Sequence, residues 1–299
     1  MSKSKFTYGY WRTDKPKEEG FSHELISSDT AKILDQTDLD TLEAVPFPGV
    51  DTLFKAVQRN YDRIPNNEWL GTRVGDKYEW MSWKESLEYA QTISYGIKAL
   101  GLCPEVEGDG RTYRFLGIQS KNRKEWVLTH VANIYQTVTT VAFFDTLGPD
   151  ANRFIINQTE LSTIAVSVDF VKKLCQLKID DQGMEQVKMT TLTNLIVFED
   201  DIPQADRDLA EKAGVKLHTF ADVYKAGKEA DDKSFKEPTP DDHFAFSYTS
   251  GTTGDPKGVK LSHKMIIGAA YAVNQRVGEQ PISEADCYVS YLPAAHSFE

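Results

Sequence analysis

Apolar residues recur along this chain at two periods, and the switches between them mark out the elements. Residues 1–50 are polar and weakly periodic, ending in Val45-Pro46-Phe47-Pro48-Gly49. Two prolines one residue apart fix an extended path, so this stretch reads as an arm leading into a domain. From Asp51 the spacing turns helical, with Leu53, Phe54, Val57 and Tyr61 near a 3.6-residue period. Residues 69–74 and 77–81 flank Gly75-Asp76, a Gly-first pair suited to a type II′ hairpin turn. Ser82 and Glu85 have the spacing of a capping box, opening a helix that buries Leu87, Ala90, Ile93 or Ser94, and Ile97.

Short β-branched runs then alternate with helical patterns. Residues 115–119, 140–144, 163–168, 195–198 and 215–220 read as strands. Between the first two lies a helix capped by Asn122 with Glu125 and displaying Trp126, Val127, Val131 and Ile134. Further helices are predicted at 151–157, at 170–177 with Val171 and Leu174 inward, and at 207–213, closed by Gly214. Such repetition with two-faced apolar strands predicts an α/β fold, a mostly parallel sheet flanked by helices on both sides. Residues 225–242 hold ten charged side chains with Pro238 and Pro240, the composition of a solvated linker. A buried strand at 243–248 follows. The expected division is an N-terminal arm at 1–50, a first α/β subdomain at 51–224, a charged linker at 225–242 and the start of a second subdomain at 243–299.

Composition narrows the class. Forty per cent hydrophobic and 11% aromatic residues in 299 suffice for a sizeable core, which argues against disorder. A net charge of −11 disfavours a nucleic-acid partner or an anionic-membrane reader, while leaving room for a local basic loop. Cys103, Cys175 and Cys287 are far apart and lack C-x-x-C spacing, as expected of reduced thiols in an intracellular protein without a zinc site. No run approaches the roughly 20 apolar residues of a membrane span, and the N-terminus has no secretory signal.

The informative chemistry lies in Tyr248-Thr249-Ser250-Gly251-Thr252-Thr253-Gly254-Asp255-Pro256-Lys257-Gly258. Its glycines let successive N–H groups converge on anionic oxygens, four hydroxyls add donors, and Lys257 supplies a point charge after the stiff Pro256. These are the parts of a phosphate cradle. A Walker A loop has Gly before its Lys and Ser or Thr after it, and neither holds here. Val259-Lys260-Leu261 reads as a strand, so the loop joins two strands, and Ser262 caps the helix from His263 to about Gln275. The competing reading is a Gly/Thr-rich surface loop without a chemical role; the density of donors argues against it.

This segment, continued by Ser262-His263, resembles the AMP-binding signature of adenylate-forming enzymes, the superfamily of acyl-CoA synthetases, luciferases and peptide-synthetase adenylation domains. Residues 117–126, Phe144-Asp145-Thr146-Leu147-Gly148 and Tyr291-Leu292-Pro293-Ala294-Ala295-His296-Ser297-Phe298-Glu299 are similar to long-chain fatty acid–CoA ligases, with Phe144, Ala294 and Ser297 as departures. The resemblance covers about residues 51–299. It implies the large N-terminal domain of such an enzyme, truncated, with the mobile C-terminal domain absent. The implied activity is ATP-dependent conversion of a long-chain fatty acid through acyl-AMP to acyl-CoA, with Mg²⁺ and CoA also required.

By the same resemblance, Tyr248, Thr249, Ser250, Gly251, Thr252, Thr253, Gly254, Lys257 and Gly258 bind the nucleotide, and Lys257 neutralises departing pyrophosphate. His296 would lie beside the acyl carboxylate and α-phosphate, with Phe298 shaping the pocket; the competing reading has His296 merely ending a strand. The acidic Mg²⁺ ligand, the ribose-binding aspartate and the C-terminal lysine would lie beyond residue 299. The expectations that follow are no metal ligand in this chain and no turnover by 299 residues alone. A cytoplasmic location, or a peripheral one on endoplasmic reticulum or peroxisome membrane, is the family's. Two alternatives stay open: an adenylate-forming ligase for an aryl or amino acid, and a non-catalytic nucleotide-binding fragment.

Overall fold

In a computed structural model of the chain, residues 9–11, 16–23, 25–27, 48–180, 189–249, 255–276 and 283–296 are described. Two compact units divide at Glu43/Ala44. In the first, β1 (Gly9–Trp11) and β2 (Leu25–Ser27) pair antiparallel, with Tyr10 opposite Ile26. Strands of three residues are too short to show a period, which is why the sequence reads there as an arm without elements.

The second unit opens with α1 (Leu53–Arg63), whose N-cap Thr52 accepts from the Lys55 N–H, and whose Phe54, Val57 and Tyr61 pack on the core. β3 (Glu68–Val74) and β4 (Lys77–Ser82) form the expected hairpin, Gly75 taking φ +60°. The Ser82–Glu85 capping box is made in full and starts α2 (Trp83–Ala99), which buries Leu87, Ala90, Ile93, Ser94 and Ile97. A hairpin not anticipated follows: β5 (Glu105–Gly108) pairs antiparallel with the first part of β6 (Arg111–Gln119). Thereafter come α3 (Lys124–Tyr135), β7 (Thr139–Phe143), α4 (Pro149–Gln158), β8 (Thr163–Val166), α5 (Val171–Asp180), β9 (Asn194–Val197), α6 (Gln204–Lys212) and β10 (Lys216–Thr219).

Alternation within these strands decides the layers. Val141, Phe143, Ile164, Val166, Leu195 and Val197 share one buried cluster with residues of α4, α5 and α6. Their neighbours Leu116, Ile118, Ala142, Ala165 and Ile196 share the other with α2 and α3. Strands apolar on both faces bury both, as parallel sheets do. Among the described residues the sheet has eight strands, in the order β10-β9-β8-β6-β7-β11-β12 with β5 beside β6. The pairs from β10 to β11 are all parallel.

A helix overlaps the first five residues of the linker expected at 225–242, and residues 230–242 form neither helix nor strand. α7 (Phe220–Glu229) begins on a capping box of Thr219 and Asp222 and buries Phe220, Val223 and Gly227. The charges of Lys225, Lys228 and Glu229 belong to its outer side. Beyond it, β11 (His243–Thr249) does not begin a new sheet: it pairs parallel with β7, and β12 (Lys257–Ser262) pairs antiparallel with β11. α8 (His263–Arg276) follows, with the Met265 N–H donating to Ser262 Oγ at 3.4 Å.

α2 and α7 meet backbone to backbone. A Cβ on Gly96 would stand 1.9 Å from the Val223 carbonyl oxygen, and one on Gly227 would stand 1.8 Å from that of Thr92. Either Gly96→Ala or Gly227→Ala must push the helices apart; each is expected to cost about 1–3 kcal/mol, read as a lower urea midpoint at unchanged m-value.

His263 ties the last helix to the first, its Nδ1 accepting from the Leu53 N–H at 3.2 Å. Burial pushes its pKa down to about 4 from 6.5. The unfolded chain therefore takes up this proton first, so the stabilisation is complete above pH 6.5 and is lost as pH falls through 4. The loss is on the order of 3 kcal/mol. His263→Asn keeps an acceptor for Leu53 without the titration, and should reduce the fall in stability between pH 6.5 and 4 in thermal unfolding, leaving the share of buried His130, which is also pushed down to about 4.

Candidate active site

The carboxyl ends of the parallel strands form one edge of the sheet, where open α/β sheets place their ligands. The connection after β6 runs through α3 on one face and that after β8 through α5 on the other, which makes the β6/β8 junction the topological switch point. That crevice is occupied by side chains. Arg123 donates through Nε to Glu125 at 2.7 Å and through Nη1 to Glu199, while Glu199 accepts from the Val168 N–H at 2.7 Å. Loops after β6, β8 and β9 are thereby laced together, and β7 and β11 end farther along the same edge.

β11 delivers the start of the glycine-rich loop there. Tyr248 is buried, its hydroxyl donating to Gln158 Oε1 at 2.7 Å at the end of α4. Burial also pushes its pKa up to about 12, so it stays a neutral donor. Across the antiparallel pair Tyr248 faces Gly258 and Thr249 faces Lys257. A Cβ on Gly258 would lie 3.0 Å from the Tyr248 ring, so a residue without a side chain lets the ring lie flat beneath the start of β12. Thr249 donates through Oγ1 to the Lys257 carbonyl at 3.4 Å. The Lys257 side chain is exposed and has no ion-pair partner among the described residues. By contrast Lys260 pairs with Asp109. Ser250, Gly251, Thr252, Thr253 and Gly254 lie outside the described residues.

β7 ends beside the carboxyl end of β11, and Phe144 immediately follows β7. His296 meets the Phe144 ring edge-on, centroids 6.2 Å apart, and its N–H closes a turn onto the Pro293 carbonyl at 2.8 Å. Lys257 and His296 are thus brought to the same edge through adjacent parallel strands, although 39 positions separate them in the numbering. Phe298 lies outside the described residues.

Asn122 departs from its expected role. The N-cap of α3 is Arg123 and no side chain caps that helix; Glu125 is engaged by Arg123. The Asn122 carboxamide instead donates to Leu292 O at 2.5 Å, Ser290 Oγ at 2.8 Å and Ser290 O at 3.3 Å, and accepts from the Ala294 N–H at 2.7 Å. Nothing local in the sequence signals partners so far away. The Gln158 support of Tyr248 was likewise missed, for the same reason.

A profile of the AMP-binding enzyme family matches residues 55–299. The chain belongs to the AMP-binding enzymes. Among curated relatives, fatty acyl-CoA synthetase B of Dictyostelium discoideum is 31% identical over 255 residues, covering 83% of this chain and 35% of that protein. Long-chain-fatty-acid–CoA ligase 1 of Cavia porcellus is 30% identical over 280 residues, covering 93% and 38%. The chain spans little more than a third of the length of these relatives. In fold it is similar to the A domain of a carboxylic acid reductase from Segniliparus rugosus, a structure in complex with AMP and a carboxylic acid. The TM-score is 0.60 at 17% identity, covering 90% of this chain and 46% of that one. This member of the family thus has the α/β architecture of adenylation domains. Among its described residues no helix is long and apolar enough to cross a membrane.

Tyr248→Phe deletes one buried hydrogen bond and leaves Gln158 without its donor. A loss of about 1 kcal/mol is expected in chemical denaturation, with Gly258→Val costing more because its side chain must displace the Tyr248 ring.

Proposed function

We propose that this chain carries the phosphate-binding and carboxylate-presenting part of a ligase that activates a long-chain fatty acid with ATP and passes the acyl group to CoA. The observation that carries the reading is the uncommitted Lys257 at the end of a glycine- and threonine-rich loop, one strand away from Phe144 and His296. A carboxylate is a poor acylating agent because oxide leaves badly. In the proposed first step a carboxylate oxygen attacks the α-phosphorus of ATP and the bond to pyrophosphate breaks, giving acyl-AMP. In the second, the CoA thiol attacks the acyl carbon, loses its proton and expels AMP.

Catalysis of such transfers rests on placement and on charge neutralisation. Tyr248, Thr249, Ser250, Gly251, Thr252, Thr253, Gly254 and Gly258 are assigned to holding the phosphates through backbone N–H groups and hydroxyls. Lys257 is assigned the charge of the departing pyrophosphate, and His296 the acyl carboxylate beside the α-phosphate. Mg²⁺ is expected to come with ATP, held mainly by the phosphates and water, and no residue of this chain is assigned to it. Relatives that are fatty acyl-CoA synthetases support a fatty acid over an aryl or amino acid as substrate. The reading places the reaction inside the cell, in the cytoplasm or on the surface of endoplasmic reticulum or peroxisome membrane, where long-chain acids partition. The 299 residues are proposed to bind nucleotide without completing turnover.

Calorimetric titration of the purified chain with ATP tests the assignment. Lys257→Ala is expected to weaken ATP binding about tenfold or more while leaving palmitate binding within about twofold. Equal loss of both, or no ATP binding by the unsubstituted chain, overturns the phosphate role. Acyl-CoA formation by the 299 residues overturns the last proposal alone.

A further inference from the structure

We infer that Asn122 is a positioning residue that sets the place of His296 at the carboxyl edge of the sheet. The inference rests on the proposed role of His296 and adds to it the group that holds the histidine there. Residues 286–296 contain no helix or strand, so their backbone groups lack the partners a ladder would provide. Asn122 supplies them from one side chain. It contacts Ser290, Leu292 and Ala294, every second residue of this stretch, and supplies both a donor and an acceptor to its backbone.

Both ends of the carboxamide are used, and in opposite senses. Nδ2 donates to the Ser290 and Leu292 carbonyls and to Ser290 Oγ, while Oδ1 accepts from the Ala294 N–H. An aspartate offers acceptors alone and would set a carboxylate against two carbonyls; a leucine offers neither. After Ala294, Ala295 is buried in the cluster that contains Trp126, one turn into α3 from Asn122. The chain then turns through the His296 N–H onto Pro293 O and brings the imidazole against Phe144. Position therefore passes from β6 through Asn122 to a segment without secondary structure, and from there to His296.

Five variants of the whole chain decide it: Asn122→Ala, Asn122→Asp, Asn122→Gln, His296→Ala and the double variant of Asn122→Ala with His296→Ala. Amide hydrogen exchange is measured at Ala294 and His296, and affinity is measured for an acyl-sulfamoyl-adenosine, an unreactive mimic of acyl-AMP. Asn122→Ala should speed exchange at both amides about tenfold or more and weaken the mimic about as much as His296→Ala does. In the double variant the two losses should not add, because one residue acts through the other. Asn122→Gln should recover part of both readouts. Asn122→Asp, which keeps the Ala294 acceptor, should lose affinity while Ala294 stays more protected than in Asn122→Ala; it also serves should the alanine variant not fold. Unchanged exchange, or fully additive losses, overturns the inference. Faster exchange with no effect of His296→Ala on affinity instead overturns the role of His296, and with it the function of the clamp.

Discussion

Backbone hydrogen bonding between β7 and β11 joins segments that the chain separates widely: Thr139 and His243, which meet at the start of that pair, are 104 positions apart. Each parallel pairing brings two carboxyl ends to the same level, so this one sets Tyr248 and Thr249 at the end of β11 level with the end of β7, which Phe144 follows. A slip of one residue would turn Phe246 and Tyr248 from one buried face to the other. Tyr248 would then leave Gln158, and the loop would lose its footing. The two layers of helices serve the same end, since sealing both faces of the sheet is what makes a parallel register stable.

The two edges of the sheet are treated differently. At the amino edge, charges are matched: Lys260 pairs with Asp109, Lys264 with Asp241, and Arg111 donates to the Asp241 carbonyl. At the carboxyl edge the switch-point crevice is filled by Arg123 with Glu125 and Glu199, while Lys257, two strands away, has no such partner among the described residues. A chain of net charge −11 thus keeps a cation available beside the loop. Overall acidity and a local anion site are compatible because screening confines surface charges to about 8–10 Å.

Much of this was legible because it is local. The Ser82–Glu85 box, the Gly75-Asp76 hairpin, the two-faced strands and the strand–loop–strand around Lys257 all follow from spacings within a few residues. Two equally local signals were overlooked. Asp109-Gly110, both at positive φ, turns the β5–β6 hairpin, and Thr219-x-x-Asp222 opens α7 in a stretch whose charges suggested solvent. The roles of Asn122 and Gln158 are of another kind. Their partners lie 168–172 and 90 positions away, and no local period encodes such pairs. Asn122 even had a plausible near partner in the following helix, and the distant segment outcompeted it with three backbone contacts and one to the Ser290 hydroxyl.

β12 is the last strand of the sheet among the described residues, and none of those residues forms a strand on its outer side. Such an edge is a template on which another polypeptide can add a strand and begin aggregation. Lys257 and Lys260 stand on this strand, and burying an ammonium group against an incoming chain is costly. The lysine proposed to meet pyrophosphate is thus one of two positive charges on this strand. Replacing it by an apolar residue would remove a charge from the site and blunt the protection of the edge in the same stroke.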